Sequence, residues 1–162
     1  MARVSLREQL RRATRRYRKH RTGEHLRWLL NAKARLGIWD SRFCEYYHVP
    51  PHVNKATRHF IMRGYLAGLV PTATTNGDHA RGSYHYKHQA ADMGSRTGGD
   101  RARKERFQLR EFHAWQRGKR GNMIELIGPN DYACVLASRH TPVAHGSDLE
   151  RAHENHTHGA FR

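Results

Sequence analysis

The chain has 162 residues, a length that suits a single domain, and its charge is strongly one-sided. Thirty Lys and Arg residues against fourteen Asp and Glu residues give a formal net charge of +16, which favours polyanionic partners: nucleic acid, an anionic membrane or an anionic bacterial envelope. Three Trp, five Phe and seven Tyr residues, spread along the chain, argue against disorder throughout.

The sequence predicts neither a membrane span nor a secretory signal. No stretch of about 18 apolar residues is present, and no apolar segment follows the positive N-terminus. We therefore expect synthesis in the cytoplasm. Cys44 and Cys134 form no CxxC pair, and we expect both to be reduced and buried.

The N-terminal third is predicted to be helical and basic. A helix is predicted over residues 3–22. Nine Lys or Arg residues lie within 3–21, and the helix has one narrow apolar stripe. A second helix over 24–36, richer in apolar residues, would pair with the first as a helical hairpin. Pro50 and Pro51 then break the chain, which predicts a basic helical region over residues 1–50 and a second domain over 51–162.

Helical and extended patterns mix in the rest of the chain, which predicts an α+β fold. Asn54 is a favourable N-cap for a third helix that ends near Gly68. Residues 94–102 read as a loop, and a fourth helix is predicted over 103–117. Short strands are predicted over residues 69–75, 90–93, 123–127, 133–137 and 153–161.

Two clusters rise above the background of fourteen His residues. In the first, His85 and Asp92 can meet if a loop carries the His and the following strand the Asp. In the second, Glu154, His156 and His158 would face the same way on a strand. Catalytic zinc takes three protein ligands from His and carboxylate residues and keeps one position open. His85, Asp92 and one of the two late imidazoles supply that set.

The motif Ser83-x-His85-x6-Asp92, with Ala90 inside it, and the late pair His156-x-His158 resemble the zinc D-Ala-D-Ala peptidases of the M15 type. These belong to a wider group with the lysostaphin-like peptidases and the hedgehog signalling domain. The similarity covers about residues 54–162. It implies a small antiparallel sheet with flanking helices and the zinc ligands His85, Asp92 and His158. His156 would lie beside the metal as a transition-state stabiliser or proton carrier, and Ser83 would orient substrate.

The chain departs from the family pattern at two positions. His88 stands where the family usually has Gly, which bears on the loop geometry. Asn155 stands where the catalytic carboxylate is often found, three residues before the last ligand. Glu154, one residue earlier, would face the metal on a strand, so we expect it to be the general base, with Glu150 as the alternative.

The resemblance implies a zinc peptidase that cuts an amide bond in bacterial peptidoglycan, as a D,D-carboxypeptidase or an endopeptidase. A lysis enzyme of the phage endolysin kind, acting at the cell wall after holin-type release, would fit a chain without a signal peptide. We expect a monomer whose basic N-terminal helix binds the anionic envelope.

Three alternatives remain open from the sequence. The charge also suits a nucleic-acid-binding protein. The string His153-Glu154-Asn155-His156 has a superficial likeness to His-Asn-His metal nucleases, although that reading leaves Ser83, His85, Ala90 and Asp92 as coincidence. Asn155 in the usual acid position is also compatible with an inactive relative that binds metal.

Overall fold

In the computed structural model, which describes residues 4–162, the chain begins with a helical hairpin. Helix α1 spans Leu6–His20 and helix α2 spans Gly23–Arg35. Ala13 of α1 packs against Leu29 and Ala32 of α2, so the apolar stripe of the basic helix is covered. The predicted hairpin is therefore confirmed, except that residue 3 lies outside the described residues.

The remaining elements form an α+β fold with one six-stranded antiparallel sheet. The predicted N-cap is confirmed, because the Asn54 side chain accepts a hydrogen bond from the Thr57 N–H at 2.8 Å. The elements in chain order are α3 Lys55–Leu66, β1 Leu69–Ala73, β2 Ala90–Ser95, α4 Arg101–Gln116, β3 Met123–Ile127, β4 Val135–Leu136, β5 Arg139–His140, α5 Asp148–His153 and β6 His156–Phe161.

Several boundaries differ from the sequence prediction; the strand predicted over 69–75, for example, ends at Ala73. The predicted last strand over residues 153–161 is too long at its start, because Ser147 caps the short helix α5 and β6 begins only at His156. Gly94 and Ser95 belong to β2, and α4 begins at Arg101, so the predicted loop over 94–102 is shorter. The predicted strand over 133–137 is reduced to the two residues of β4.

The sheet order is β1-β2-β6-β3-β4-β5, which places the last strand between two earlier ones. The core lies between α3, α4 and one face of the sheet, where the Phe60 ring contacts the rings of Phe107 and Phe161. Gly159 lets Phe60 approach β6, since a Cβ at this position would lie 2.6 Å from the ring. Side chains alternate along β6, so His156 and His158 project from the opposite face.

The core continues across residue 50. Leu30, Phe43 and Val49 belong to the same buried cluster as residues of α3 and the sheet. The division into 1–50 and 51–162 therefore stays a prediction. Both cysteines are free and buried, as predicted. Within residues 4–162, every helix is too short or too polar to cross a membrane.

Candidate metal centre

His85 is held in the loop between β1 and β2, with only 2% of its surface exposed. The Ser83 hydroxyl accepts a hydrogen bond from the His85 N–H at 3.2 Å, and the ring Nδ1 donates to the Thr74 carbonyl. The His79 ring stacks on the His85 ring with a centroid separation of 3.8 Å. Because Nδ1 carries the proton, Nε2 is free to act as a ligand.

Asp92 and His158 are brought together by the register of two neighbouring strands. Asp92 of β2 and His158 of β6 are direct partners in the antiparallel ladder. Their side chains share the face opposite the helices, and each residue is only 6% exposed. His158 Nδ1 donates to Asp92 Oδ1 at 2.9 Å. The insertion of β6 beside β2 is therefore what unites two residues that lie far apart in sequence.

Three ligand atoms converge at this place. His85 Nε2 lies 3.2 Å from His158 Nδ1 and 3.3 Å from Asp92 Oδ1. With the 2.9 Å between His158 and Asp92, the three atoms form a small triangle in which each residue offers one buried ligand atom. The group formed by His85, Asp92 and His158, called here the ligand group, can hold a metal ion, as the sequence predicted.

Glu125 of β3 completes the surroundings of His158. Its Oε2 accepts a hydrogen bond from His158 Nε2 at 3.1 Å, since β6 lies between β2 and β3. Burial disfavours the charged imidazole, but hydrogen bonds to Asp92 and Glu125 outweigh that effect and raise the pKa of His158 to about 9. A metal ion would replace the proton on Nδ1 while Glu125 keeps the proton on Nε2, the arrangement found around many metal-bound imidazoles.

His156 lies beside the ligand group without being part of it. Its Nε2 is 3.6 Å from Asp92 Oδ1, and its Nδ1 donates to Asn155 Oδ1 at 2.7 Å. Burial lowers the pKa of His156 to about 4. For Asp92, the hydrogen bonds from His158 and His85 outweigh burial and hold its pKa well below the ordinary value. The site thus combines an ionised carboxylate with a neutral imidazole next to it.

The two acids expected from the sequence lie away from the ligand group. Glu154 is exposed in the turn between α5 and β6, so the strand geometry expected to aim it at the metal is wrong. Glu150 is buried on α5, where it accepts a hydrogen bond from the Gly146 N–H at 2.8 Å and faces His145. The role of Glu154 as general base stays a prediction.

His88 has a backbone conformation for which glycine is better suited. Its φ of 58° lies in the left-handed region, which costs a residue with a Cβ but not glycine. The imidazole Nδ1 donates to the His52 carbonyl at 2.8 Å, and the side chain is exposed. His88 therefore keeps the loop turn and does not join the ligand group.

An open cleft of about 460 Å³ is lined by His156, the imidazole next to the ligand group. Glu154 and Asn155 line it together with residues from β2 and from the N-terminal turn of α4. Lys104 holds the turn before β6, because its buried ammonium group donates to the Asn155 carbonyl at 3.0 Å. Glu154 therefore shares the wall of the cleft with His156.

Sequence reasoning missed Glu125. The residue sits in the middle of a strand that was predicted with the right bounds, Met123–Ile127, but nothing local in the sequence indicates that β6 lies beside it. The signal that could have found it is the presence of one acid in an otherwise apolar strand. Burying an unpaired carboxylate costs free energy, so such an acid is expected to have a partner.

The chain matches no protein-family model, no curated protein and no solved structure.

Replacing Glu125 with Gln should weaken metal binding without abolishing it. The His158 ring would lose its carboxylate acceptor on Nε2, and loss of such a partner typically lowers metal affinity about 10- to 100-fold. Competition between the protein and a chromophoric chelator would measure the change. Glu105→Gln, which removes an acid of α4 that is paired with Arg101 and lies outside the ligand group, is the control. Equal affinities for the two variants would contradict the role given to Glu125.

Proposed function

We propose that the protein is a zinc peptidase that hydrolyses an amide bond in the peptide of bacterial peptidoglycan. The observation that carries the proposal is the ligand group itself, since the residues that form it are those implied by the resemblance to M15-type peptidases. The motif spacing that suggested these residues does not by itself bring their side chains together, so their convergence is a separate observation. Members of this group share an α+β fold, with which the six-stranded antiparallel sheet is compatible.

The spacing of the ligand atoms fits zinc. Zinc bonds of about 2.0–2.1 Å in a tetrahedron place neighbouring ligand atoms about 3.3 Å apart. The three separations here are 2.9, 3.2 and 3.3 Å. Two imidazoles and one carboxylate form a donor set typical of catalytic zinc, with a fourth position open. Bound zinc would polarise the scissile carbonyl and lower the pKa of water.

The residues around the ligand group have separate tasks in this proposal. Glu125 and the Thr74 carbonyl orient the two imidazoles. His156 moves a proton at Nε2, because the hydrogen bond to Asn155 holds the proton of the resting ring on Nδ1. Asn155, at the position where the family often has an acid, would thus orient the neighbouring imidazole. Ser83 holds the His85 backbone, and contact of its hydroxyl with substrate stays a prediction.

His156→Ala and Glu154→Gln together test the assignment of proton transfer. We expect His156→Ala to keep its zinc and to lose about 100- to 10,000-fold in hydrolysis, the usual contribution of a general acid or base. Glu154→Gln should lose less than about 10-fold, because the side chain is exposed and lies on the cleft wall. Rates on a soluble stem peptide, with zinc content measured in parallel, would decide. A loss for Glu154→Gln as large as for His156→Ala would restore Glu154 as the base.

The substrate class is tested by mass spectrometry of fragments released from purified peptidoglycan. Fragments that end at one defined amide bond, and that disappear after zinc is removed by a chelator, support the proposal and identify the bond. Intact peptidoglycan together with cleaved plasmid DNA would favour a nuclease instead. Intact peptidoglycan and intact DNA, with zinc bound, would favour an inactive relative.

The outer face of α1 is proposed to hold the enzyme at the anionic envelope. Arg11, Arg15 and Arg18 are exposed at helical spacing, while Ala13 and Tyr17 on the other side pack against α2. Clustered cations of this kind attract polyanions, and the attraction falls as salt rises.

Replacing Arg11, Arg15 and Arg18 by Gln should therefore weaken binding to cell walls and reduce its dependence on salt. Hydrolysis of a small soluble peptide should stay unchanged, because the packing of α1 on α2 is preserved. Co-sedimentation with walls across a salt series measures the effect. Unchanged sedimentation of the triple variant would refute an envelope-binding role for this face.

A further inference from the structure

A second convergence of metal-ligating side chains lies apart from the ligand group. Asp131 follows β3, His145 lies between β5 and α5, and Glu150 lies on α5, and each offers one ligand atom within 4.8 Å of the others. His145 Nδ1 is 3.1 Å from Asp131 Oδ2 and 3.6 Å from Glu150 Oε1. We propose that Asp131, His145 and Glu150 bind a second divalent metal ion.

The charges at this place call for a cation. Glu150 is 6% exposed, and Asp131 is half-buried beside it. Two carboxylates this close repel each other, and a positive charge between them relieves the repulsion. Within residues 4–162, neither forms an ion pair with Lys or Arg, although the chain has thirty such residues. Their ion-pairing partner is the imidazole of His145, whose side chain is 84% exposed.

An independent observation concerns the second oxygen of Asp131. Its Oδ1 is buried and has no hydrogen-bond partner among residues 4–162. Such unsatisfied buried oxygens are rare in folded proteins, because losing hydration without a new partner costs free energy. A metal ion held by Asp131 would supply the missing electrostatic partner. For Glu150, the Gly146 N–H already satisfies Oε2, which leaves Oε1 on the side of His145.

The donor set selects the class of ion. One imidazole with two carboxylates suits zinc and similar transition ions better than calcium, which prefers oxygen ligands alone. Such an ion would tie the segments around Asp131 and His145 to α5, and α5 leads directly into the turn before β6. The site is therefore expected to be structural. It would hold the segment that precedes His156 and His158, and its binding does not depend on the proposed peptidase activity.

Zinc content of the full-length protein, measured by mass spectrometry after equilibration at micromolar free zinc, tests the proposal. The wild type should bind one equivalent more than His145→Ala, and His85→Ala should lose a different equivalent, so that the double variant loses both. Asp131→Asn, which preserves side-chain size, should raise the dissociation constant of the second ion by more than about 100-fold. His113→Ala, an exposed imidazole on α4 outside both groups, is the control for adventitious binding by surface histidines.

Circular dichroism separates loss of the second site from loss of the fold. The His145 side chain is mostly exposed, so its substitution should leave the spectrum unchanged. Loss of one equivalent from folded His145→Ala and from Asp131→Asn, but not from His113→Ala, supports the second site. Equal zinc content in the wild type, His145→Ala and Asp131→Asn would overturn it and would leave His145 as a simple ion-pair partner of the two acids.

Discussion

His158→Ala should abolish zinc binding by the ligand group and reduce peptidoglycan hydrolysis by at least about 1,000-fold. The substitution removes the imidazole that lies between Asp92 and Glu125, so both carboxylates lose their hydrogen bond to β6. Zinc content and the rate of release of peptidoglycan fragments would be measured on the same preparation.

His113→Ala is the matched control, because it removes an exposed imidazole from α4 and should change neither quantity. The comparison is made with the second site disabled by His145→Ala. If His158→Ala then retains as much zinc as the protein with an intact ligand group, the ligand group does not bind the metal.

Glu111→Gln should lower the free energy of unfolding by about 3 kcal/mol. Glu111 of α4 is fully buried and accepts hydrogen bonds from Arg63 of α3 and from Arg120, at distances from 2.7 to 3.0 Å. The neutral amide would leave two guanidinium groups without a counter-charge inside the layer that supports the sheet. Urea unfolding at neutral pH measures the loss. Glu105→Gln, on the same helix but in an exposed pair with Arg101, should cost less than about 0.5 kcal/mol.

The same interaction predicts a dependence on pH. Burial raises the pKa of Glu111, but the hydrogen bonds from Arg63 and Arg120 outweigh it, so the pKa lies below the ordinary value of 4.5. A carboxyl group with a lowered pKa in the folded state stabilises the protein above its unfolded pKa, and this contribution is lost as the pH falls. The difference between wild type and Glu111→Gln should therefore shrink below about pH 4.5. A difference that stays constant down to pH 3 would contradict the ion-pair explanation.

Features set by a few neighbouring residues could be predicted from the sequence. The start of α3 could be predicted because the Asn54 cap is a local interaction: its side chain accepts a hydrogen bond from a residue only three positions later. The bounds of β3 follow from a short apolar segment that ends at Gly128-Pro129. The candidate ligands His85, Asp92 and His158 were predicted for a different reason: their spacing suggested a resemblance to a peptidase family, and the structure brings the three side chains together.

Features set by pairing between distant segments could not be predicted. Glu125 has a role only because β6 lies between β2 and β3, and the sequence pattern does not specify strand order. Glu154 was misplaced because α5 has six residues, too few for a helical period to appear against the alternating pattern of the last strand. The second group of possible ligands combines residues from three segments, none of which has metal-binding spacing by itself.

The pairing of Asp92 with His158 in the ladder has a consequence for how a metal ion would bind. Main-chain hydrogen bonds between β2 and β6, backed by the close contact of Phe60 with Gly159, fix the approach of two of the three ligands. The conformational entropy of ordering these side chains is therefore lost when the chain folds and not when the ion arrives. In contrast to small zinc domains that are unfolded without metal, this chain would offer a preorganised receptor to an ion, and folding of the scaffold would not depend on that ion.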